Sequence, residues 1–176
     1  MLKIVTYPDS VLSQKAETVD EVTDEVRDLM DRMLTVMYDA PGVGLAAPQV
    51  GVSKRIIVLD VSRDGDGRNP IKLVNPEIVC GEGEISFEEG CLSLPDFNAE
   101  VKRNETVTVR GLNEQGEEVT FDADGILAIV FQHEIDHLDG ILLVDKVSRL
   151  KRDIYRRKRK KELKDTERDA VEEGRG

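Results

Sequence analysis

The chain has 176 residues, the length of one ordinary domain, and its two cysteines exclude a disulfide-dense secreted fold. A net charge of −11, from 25 basic and 36 acidic side chains, argues against wholesale binding of nucleic acid or of a membrane surface. The N-terminus lacks the apolar core of a signal peptide and no apolar run approaches the ~20 residues of a membrane-spanning helix, so we expect a cytoplasmic protein that binds neither DNA nor membrane.

The first predicted element is an amphipathic helix over residues 21–40. Apolar residues, several of them methionines, recur there at spacings of three and four, which indicates one buried helical face. Thr23 is the expected N-cap, and Pro41-Gly42 ends the helix. We therefore interpret the methionine stripe as part of the core.

Strands are predicted in the middle of the chain. Residues 54–61 and 71–74 are rich in β-branched and aliphatic side chains and are separated by a turn-like segment over residues 62–67. Apolar and polar residues alternate on both sides of the turn at residues 113–116, which predicts a hairpin over residues 107–121 with one solvated face.

Between residues 41 and 51 lies a glycine-rich segment. Gly42-Val43-Gly44-Leu45-Ala46-Ala47 formally matches a dinucleotide-binding fingerprint, which requires a strand before it and a helix after it. A predicted helix precedes this segment, and Pro48 and Gly51 interrupt the residues after it, so we reject that interpretation. The segment offers instead a backbone that a ligand can approach closely, and the amide of Gln49 could hydrogen-bond a carbonyl group.

A second helix is predicted over residues 126–138, ending at Asp139-Gly140, and it carries both histidines of the chain in the motif His133-Glu134-Ile135-Asp136-His137. Residues i and i+4 lie one above the other on a helix, so both imidazoles can reach one metal ion while Glu134 projects beside them. Two neutral nitrogen ligands and a carboxylate that accepts a proton are what a helix-borne metal hydrolase requires. The alternative is two exposed histidines at a charged helix end.

A hydrolytic metal site also needs a third protein ligand and an open fourth position. The extended metalloprotease pattern fails because Leu143 stands where its last histidine is required. Asp145 and Asp153 are candidates, and so is Cys91, because a thiolate binds zinc or ferrous iron strongly. Cys91 lies in a glycine-punctuated, partly polar stretch, whereas the surroundings of Cys80 are typical of a buried, inert cysteine.

Three segments together resemble the signature motifs of bacterial-type peptide deformylases. They are Gly42-Val43-Gly44-Leu45-Ala46-Ala47-Pro48-Gln49, Glu89-Gly90-Cys91-Leu92-Ser93 and Gln132-His133-Glu134-Ile135-Asp136-His137. The resemblance covers the chain up to Lys146 and includes the Tyr7-Pro8-Asp9 turn. It implies a metallohydrolase that removes the N-formyl group from the formylmethionine of newly synthesised polypeptides and releases formate.

The resemblance also implies a set of metal ligands and a proton carrier. Cys91, His133 and His137 would hold one divalent ion, with water in the fourth position. Fe²⁺ is the expected ion, and Zn²⁺, Ni²⁺ or Co²⁺ are alternatives that the same ligands suit. Glu134 would act as general base and then as general acid.

Further residues carry implied roles in catalysis and substrate binding. The Gln49 side-chain amide and the Leu92 backbone N–H would stabilise the oxyanion. Asn98 stands where many family members have an arginine, which leaves in doubt any salt bridge from that position to Glu88 or Glu89. The residues that would bind the substrate are Val43, Gly44, Phe87, Glu89, Gly90, Ile126, Ile129 and Val130.

The C-terminal segment differs in charge from the rest of the chain. Residues 146–164 carry 11 basic and 2 acidic side chains, whereas residues 1–145 carry 12 and 29. The basic run over residues 156–161 has no apolar residue to bury, so a solvated helix end is the simpler interpretation, and the resemblance implies contact with ribosomal RNA as the alternative. An apolar stripe is predicted to dock this helix on the body: Val147, Leu150, Ile154 and Tyr155.

Strands flanked by an early and a late helix predict an α+β fold. We expect a compact single domain with antiparallel strands packed around a central metal-binding helix, an N-terminal helix and a C-terminal charged helix. Residues 1–147 would form the catalytic deformylase domain and residues 148–176 a charged tail. The alternative activity is that of a metallopeptidase using the same His-Glu-x-x-His site, and a non-catalytic, metal-stabilised RNA-binding module would need a fourth protein ligand that the sequence does not offer.

Overall fold

The computed structural model describes residues 1–63 and 67–174, and the middle of the predicted turn over residues 62–67 therefore lies outside the described residues. Within these ranges the helices are α1 (Asp24–Asp39), α2 (Gly125–Leu138) and α3 (Arg149–Glu173). The strands are β1 (Gly44–Ala46), β2 (Ile56–Leu59), β3 (Ile71–Glu82), β4 (Ile85–Cys91), β5 (Leu94–Arg103), β6 (Thr106–Leu112) and β7 (Glu118–Asp124).

The strands form two antiparallel sheets. A five-stranded sheet has the order β1-β2-β3-β6-β7, and a separate hairpin pairs β4 with β5. The predicted hairpin is the β6–β7 pair, in which Val109 lies opposite Phe121. The predicted α+β class is confirmed.

Strand β2 is buried on both faces, which explains its uninterrupted aliphatic sequence. Ile57 and Leu59 belong to the core cluster that includes the buried face of α2. Ile56 and Val58 alternate with them and belong to the cluster formed with α1. The buried residues of α1 are Met30, Met33, Leu34 and Met37, so the methionine stripe is core, as predicted.

Helix α1 begins at the predicted cap. The Thr23 hydroxyl accepts a hydrogen bond from the Val26 backbone N–H, which satisfies one of the free donors of the first turn. Helix α2 lies against the five-stranded sheet and ends before Gly140, whose φ of +72° suits glycine. Helix α2 also contacts β1, the strand at one edge of this sheet.

The β4–β5 hairpin covers a third core cluster and has no counterpart among the predicted strands. Phe97, Ala99 and Val101 point inward at every second position of β5 and pack against the turn at Leu143–Lys146. Strand β4, which pairs with β5, contains two glutamates and a glycine and has little of the composition typical of strands.

Strand β3 is longer than predicted. It continues from Ile71 through Pro76 to Glu82, with an irregular register between Val74 and Glu77 that accommodates the proline. Cys80 lies in the exposed half of this strand, so the expectation that it is buried is wrong.

Helix α3 docks through fewer apolar residues than predicted. Tyr155 is buried and donates a 2.7 Å hydrogen bond to the Pro95 backbone oxygen, but Leu150 and Ile154 are 71% and 57% exposed because they lie on another side of the helix. Arg159, one turn after Tyr155, is buried and donates to the Tyr7 backbone oxygen at 3.2 Å. The basic run is therefore not entirely solvated. Among the described residues no helix, α3 included, is long and apolar enough to cross a membrane.

Candidate metal centre

Three side chains of the types that bind metal ions converge where β4 meets α2. Cys91 Sγ lies 3.3 Å from His137 Nε2, which lies 3.2 Å from His133 Nε2, and the three donor atoms are all within 4.8 Å of one another. The helical spacing of the two histidines and the end of β4 produce this convergence. The other two ligand candidates lie outside this group, since Asp145 accepts from the Leu142 backbone N–H and Asp153 faces Arg149.

The donor set fits a divalent ion. His133 Nδ1 lies 2.9 Å from a Glu89 carboxylate oxygen, and this pairing favours the tautomer whose Nε2 is free to bind metal. Burial holds the pKa of His137 well below its usual range, which favours the neutral imidazole that a ligand requires. Two imidazoles and one thiolate suit Fe²⁺ or Zn²⁺ and leave a fourth position open.

A buried ion pair holds the carboxylate behind His133. Arg103 donates from Nε and Nη2 to the two oxygens of Glu89, each at 2.8 Å, and both side chains are only 4% exposed. Burial alone would raise the pKa of Glu89, but the hydrogen bonds from Arg103 and His133 outweigh it and lower that pKa to about 2. Arg103 Nη1 also donates to Asp136 at 2.5 Å, and Lys146 contacts the same Asp136 oxygen at 3.2 Å.

The sequence motifs predicted no role for Arg103, although its position in β5 indicates that it is buried. It occupies the fourth inward position of β5, after Phe97, Ala99 and Val101, and a charged residue in an otherwise apolar alternation indicates a buried partner. The doubt raised by Asn98 is also resolved, because Glu89 takes its cation from Arg103 while Asn98 lies opposite Gly90.

Gln49 is fixed beside the three donors. Its side chain is 1% exposed, and its Oε1 accepts a 2.9 Å hydrogen bond from the Ala46 backbone N–H. Its Nε2 therefore points toward the cleft, 3.2 Å from Ser93 Oγ and 3.6 Å from Cys91 Sγ. Leu92 follows Cys91 and borders the same cleft.

Glu134 is a buried carboxylate without a complete set of partners. It is 4% exposed, and its Oε2 has no hydrogen-bond partner among the described residues. Burial raises the pKa of Glu134 to about 7. The backbone at Gly44 passes directly over this carboxylate, since a Cβ there would lie 2.5 Å from Glu134 Oε1.

These groups border a cleft of about 510 Å³ between β1 and β4. Val43, Phe87 and Ile126 form an exposed apolar rim, while Ile129 and Val130 lie deeper on α2. The cleft is lined by every residue predicted to bind substrate and by every predicted catalytic residue. Of the predicted ligands it includes Cys91 and His133, and His137 lies behind them. The Glu89 side chain turns away from it toward Arg103 and His133.

Comparisons with known proteins all indicate the same family. The family model described as polypeptide deformylase matches residues 1–153. The chain is 54% identical to the peptide deformylase of Thermodesulfovibrio yellowstonii over 90% of this chain and 96% of that protein. It is 49% identical to the peptide deformylase of Agrobacterium fabrum over 88% of this chain and 92% of that protein.

Solved structures show the same fold. The peptide deformylase of Legionella pneumophila has a TM-score of 0.86 at 45% identity, covering 96% of this chain and 98% of that one. The peptide deformylase of Ehrlichia chaffeensis in complex with actinonin has a TM-score of 0.87 at 40% identity, covering 92% of this chain and 96% of that one.

Proposed function

The chain belongs to the polypeptide deformylase family, and we propose on that premise that it removes the formyl group from N-formylmethionyl nascent peptides and releases formate. One observation carries the proposal. A buried carboxylate with a free oxygen, Glu134, lies beside the convergent donors of Cys91, His133 and His137 at the base of an apolar cleft. That combination suits hydrolysis of an amide next to an apolar side chain.

Members of this family are metalloenzymes, and we propose that Cys91, His133 and His137 hold one divalent ion, with Fe²⁺ as the ion in the cell. When bound, such an ion supplies Lewis acidity that lowers the pKa of water and polarises a carbonyl group. The thiolate of Cys91 offsets one positive charge of the ion. Zn²⁺, Ni²⁺ and Co²⁺ suit the same ligands.

Glu134 moves the proton in the proposed mechanism. Its carboxylate takes a proton from the attacking water and returns it to the nitrogen of the leaving amine. A pKa of about 7 suits both steps, because the group gains and loses a proton near neutral pH. Because residue 44 is glycine, the β1 backbone approaches the Glu134 carboxylate closely without a Cβ that would displace it.

Two neutral donors stabilise the carbonyl oxygen as it gains negative charge. The Gln49 amide is already oriented by its bond from Ala46, so its NH₂ group needs no reorganisation during the reaction. The Leu92 backbone N–H is the second donor. Each is worth about 3 kcal/mol, by comparison with other oxyanion holes.

The cleft walls account for the choice of substrate. β1 and β4 each have one strand partner and one free edge at the cleft, so an extended peptide can hydrogen-bond to the free edges. The methionine side chain enters the apolar pocket lined by Phe87, Ile129 and Val130. The hydrogen atom of the formyl group occupies little space at the base of the cleft, which favours formyl over larger acyl groups.

The reaction products distinguish a deformylase from the alternative, a metallopeptidase. Formyl-Met-Ala and an unformylated tripeptide are incubated with the protein, and formate and free amino acids are measured. We expect formate and free Met-Ala from the first and no cleavage of the second. Cleavage of the unformylated tripeptide would assign the site to peptide-bond hydrolysis.

We propose a second contact for this protein, made by the charged helix α3. It would form in the cytoplasm, where nascent chains are made. Residues 1–147 form the proposed catalytic unit, and the solvent side of α3 presents a basic surface: Arg156, Arg157, Lys158, Lys160, Lys161 and Lys164. We propose that this surface contacts ribosomal RNA, whose phosphates favour such a cluster.

Truncation after Ser148 does not test this contact cleanly, because it removes the buried Tyr155 and Arg159. A variant with Arg157, Lys160 and Lys161 changed to glutamine leaves that docking intact. Its salt-dependent co-sedimentation with ribosomes should weaken by about tenfold at low salt. The matched control changes three exposed cations of the body, Lys3, Lys15 and Arg32, and unchanged binding in the first variant would remove the proposal.

A further inference from the structure

A buried carboxylate that belongs to none of the three motifs lies at the end of β2. Asp60 is 6% exposed, and its two oxygens accept four hydrogen bonds. Oδ2 accepts from the Tyr38 hydroxyl at 2.6 Å and from the Asn69 backbone N–H at 3.0 Å. Oδ1 accepts from the hydroxyl and the backbone N–H of Ser62, at 2.6 and 2.9 Å. These bonds use the acceptor capacity of a carboxylate, about four sites, so the Asp60 side chain has a fixed orientation.

The protonation states of Asp60 and Tyr38 suit this arrangement. Burial would raise the pKa of Asp60, but the hydrogen bonds from Ser62 and Tyr38 outweigh it and lower that pKa. Burial, and then the hydrogen bond to Asp60, raise the pKa of Tyr38 to about 12, so the hydroxyl keeps the proton that it donates. The Arg68 guanidinium lies 4.0 Å from the centre of the Tyr38 ring and holds the ring from the other side.

The backbone of Asp60 connects the same residue to β1. Its N–H donates to the Val43 carbonyl oxygen at 2.9 Å, directly before β1 begins at Gly44. Hydrogen-bonded and non-hydrogen-bonded pairs alternate along an antiparallel ladder, and the next pair is Gly44 opposite Leu59. The N–H and C=O of Gly44 therefore point away from β2, toward the free edge of β1 at the cleft.

Asp60 thus holds both ends of one segment of the cleft wall. Its side chain binds Tyr38, in the last turn of α1, and its backbone binds Val43. Between these two points lie Pro41 and Gly42, which line the cleft as Val43 does. Because β1 is only three residues long and is paired on one side, its own ladder supplies few contacts that fix this segment.

We propose that Asp60 and Tyr38 are positioning residues for substrate binding, although neither side chain is among the described residues that line the cleft. They fix residues 39–43 and so present the backbone of Gly44 where an extended peptide pairs with it. In the described part of the chain their hydrogen bonds reach neither the three convergent donors nor Glu134, so they act on substrate binding and not on the bond-breaking step. The inference rests on the proposed deformylase function.

The test measures kcat and KM of a Tyr38→Phe variant with formyl-Met-Ala-Ala-amide. The change removes one hydrogen bond to Asp60 and keeps the ring that packs against Arg68. We expect KM to rise about fivefold, the scale of one lost hydrogen bond, while kcat stays within about twofold. The product Met-Ala-Ala-amide, used as a competitive inhibitor, should bind more weakly by the same factor, because the change affects binding.

Tyr155→Phe is the matched control. It also removes a tyrosine hydroxyl from its acceptor, the Pro95 backbone oxygen at 2.7 Å, but it does so where α3 docks on the body. Both variants should unfold at a lower urea concentration, and only Tyr38→Phe should raise KM. A purely structural loss lowers the folded fraction, and with it the apparent kcat, without a change in KM.

A second variant tests whether the two residues act together. Asp60→Asn places an amide among hydrogen-bond donors, so KM should rise by at least the same factor. Combining it with Tyr38→Phe should raise KM by less than the product of the two single factors, because the residues share one hydrogen bond. If Asp60→Asn does not fold, Tyr38→Phe and its control decide the question alone.

An unchanged KM in Tyr38→Phe would overturn the proposal, and so would an equal rise of KM in Tyr155→Phe. A double variant whose KM rises by the full product of the single factors would contradict the joint action of the two residues. Absence of formate from the wild-type protein is a different result, because it overturns the proposed function itself.

Discussion

Arg103 and Glu89 form a bidentate ion pair inside the protein, with both hydrogen bonds 2.8 Å long. The Glu89 carboxylate also contacts His133 Nδ1, so the pair fixes the ring orientation of one of the three convergent donors. Because Arg103 belongs to β5 and His133 to α2, this contact ties the hairpin sheet to the central helix.

Replacing Arg103 by methionine should leave Glu89 buried without its cation. We expect a loss of about 3–5 kcal/mol in the free energy of unfolding, because breaking one side of a buried pair strands a charge. The metal affinity should fall by about 10–100-fold as His133 loses its fixed orientation. Urea unfolding and metal titration measure the two effects. The control Arg110→Met breaks the exposed pair with Glu77 and should change the free energy of unfolding far less, so equal losses in the two variants would contradict this account.

Glu134→Gln should keep the metal and abolish most of the activity. The amide is nearly the same shape as the carboxylate but cannot accept the proton, so kcat should fall by about 10²–10⁴-fold. Metal analysis of the same sample separates loss of the proton carrier from loss of the ion. Wild-type turnover in the metallated variant would rule out Glu134 as the base.

Cys91→Ser should weaken metal binding, because a serine hydroxyl is a much poorer ligand than a thiolate. The chain supplies a matched control in Cys80→Ser, at an exposed position in β3. We expect only the first variant to lose metal during dialysis against a chelator. A Cys91→Ser protein with full metal content and full activity would show that the third ligand is another residue.

Gly44→Ala tests the close approach of β1 to the proposed base. The added Cβ would lie 2.5 Å from Glu134 Oε1 and 2.9 Å from Val130 Cγ1, so the carboxylate must move. Since small misplacements of a reacting group are costly, we expect kcat to fall by about 100-fold while the metal content is retained. Steady-state kinetics with metal analysis checks this, and an unchanged kcat would mean that the Glu134 position is not critical.

Arg159→Met should destabilise the protein although it lies in the basic run. Its guanidinium donates to the Tyr7 backbone oxygen and to Thr6 Oγ1, groups that would lose their partner. We expect a loss of about 1–3 kcal/mol. The exposed neighbour Arg157→Met should change the free energy of unfolding by less than about 0.5 kcal/mol. Similar values for the two variants, measured by urea unfolding, would count against the docking of α3 through Arg159.

Helices α1 and α2 were predictable because the sequence signals that indicate them are local. Helix α1 has a cap at Thr23 and a continuous apolar stripe, and α2 carries an i, i+4 pair of histidines that a helix alone brings together. The contact of Cys91 with His137 joins residues 46 positions apart in sequence, so it follows from tertiary folding. Residue types alone left Asp145 and Asp153 open, and only the position of the β4–β5 hairpin separates the candidates.

The features that sequence reasoning missed depend on what surrounds each residue. Arg103 and Arg159 are long cations whose burial depends on Glu89 and on the N-terminal segment, neither of which is near them in the chain. Leu150 and Ile154 have the composition of a docking stripe but lie on another side of the helix from Tyr155. Helical spacing predicts which residues share a face, and it does not predict which face the body covers.

The central claim is tested most directly by formate release from formyl-Met-Ala, measured on protein purified without oxygen and analysed for metal in the same sample. We predict one divalent ion per chain, formate and free amine in equal amounts, and a metallated Glu134→Gln variant that releases almost no formate. Formate release by metal-free protein, or peptide-bond cleavage without formate, would contradict the account.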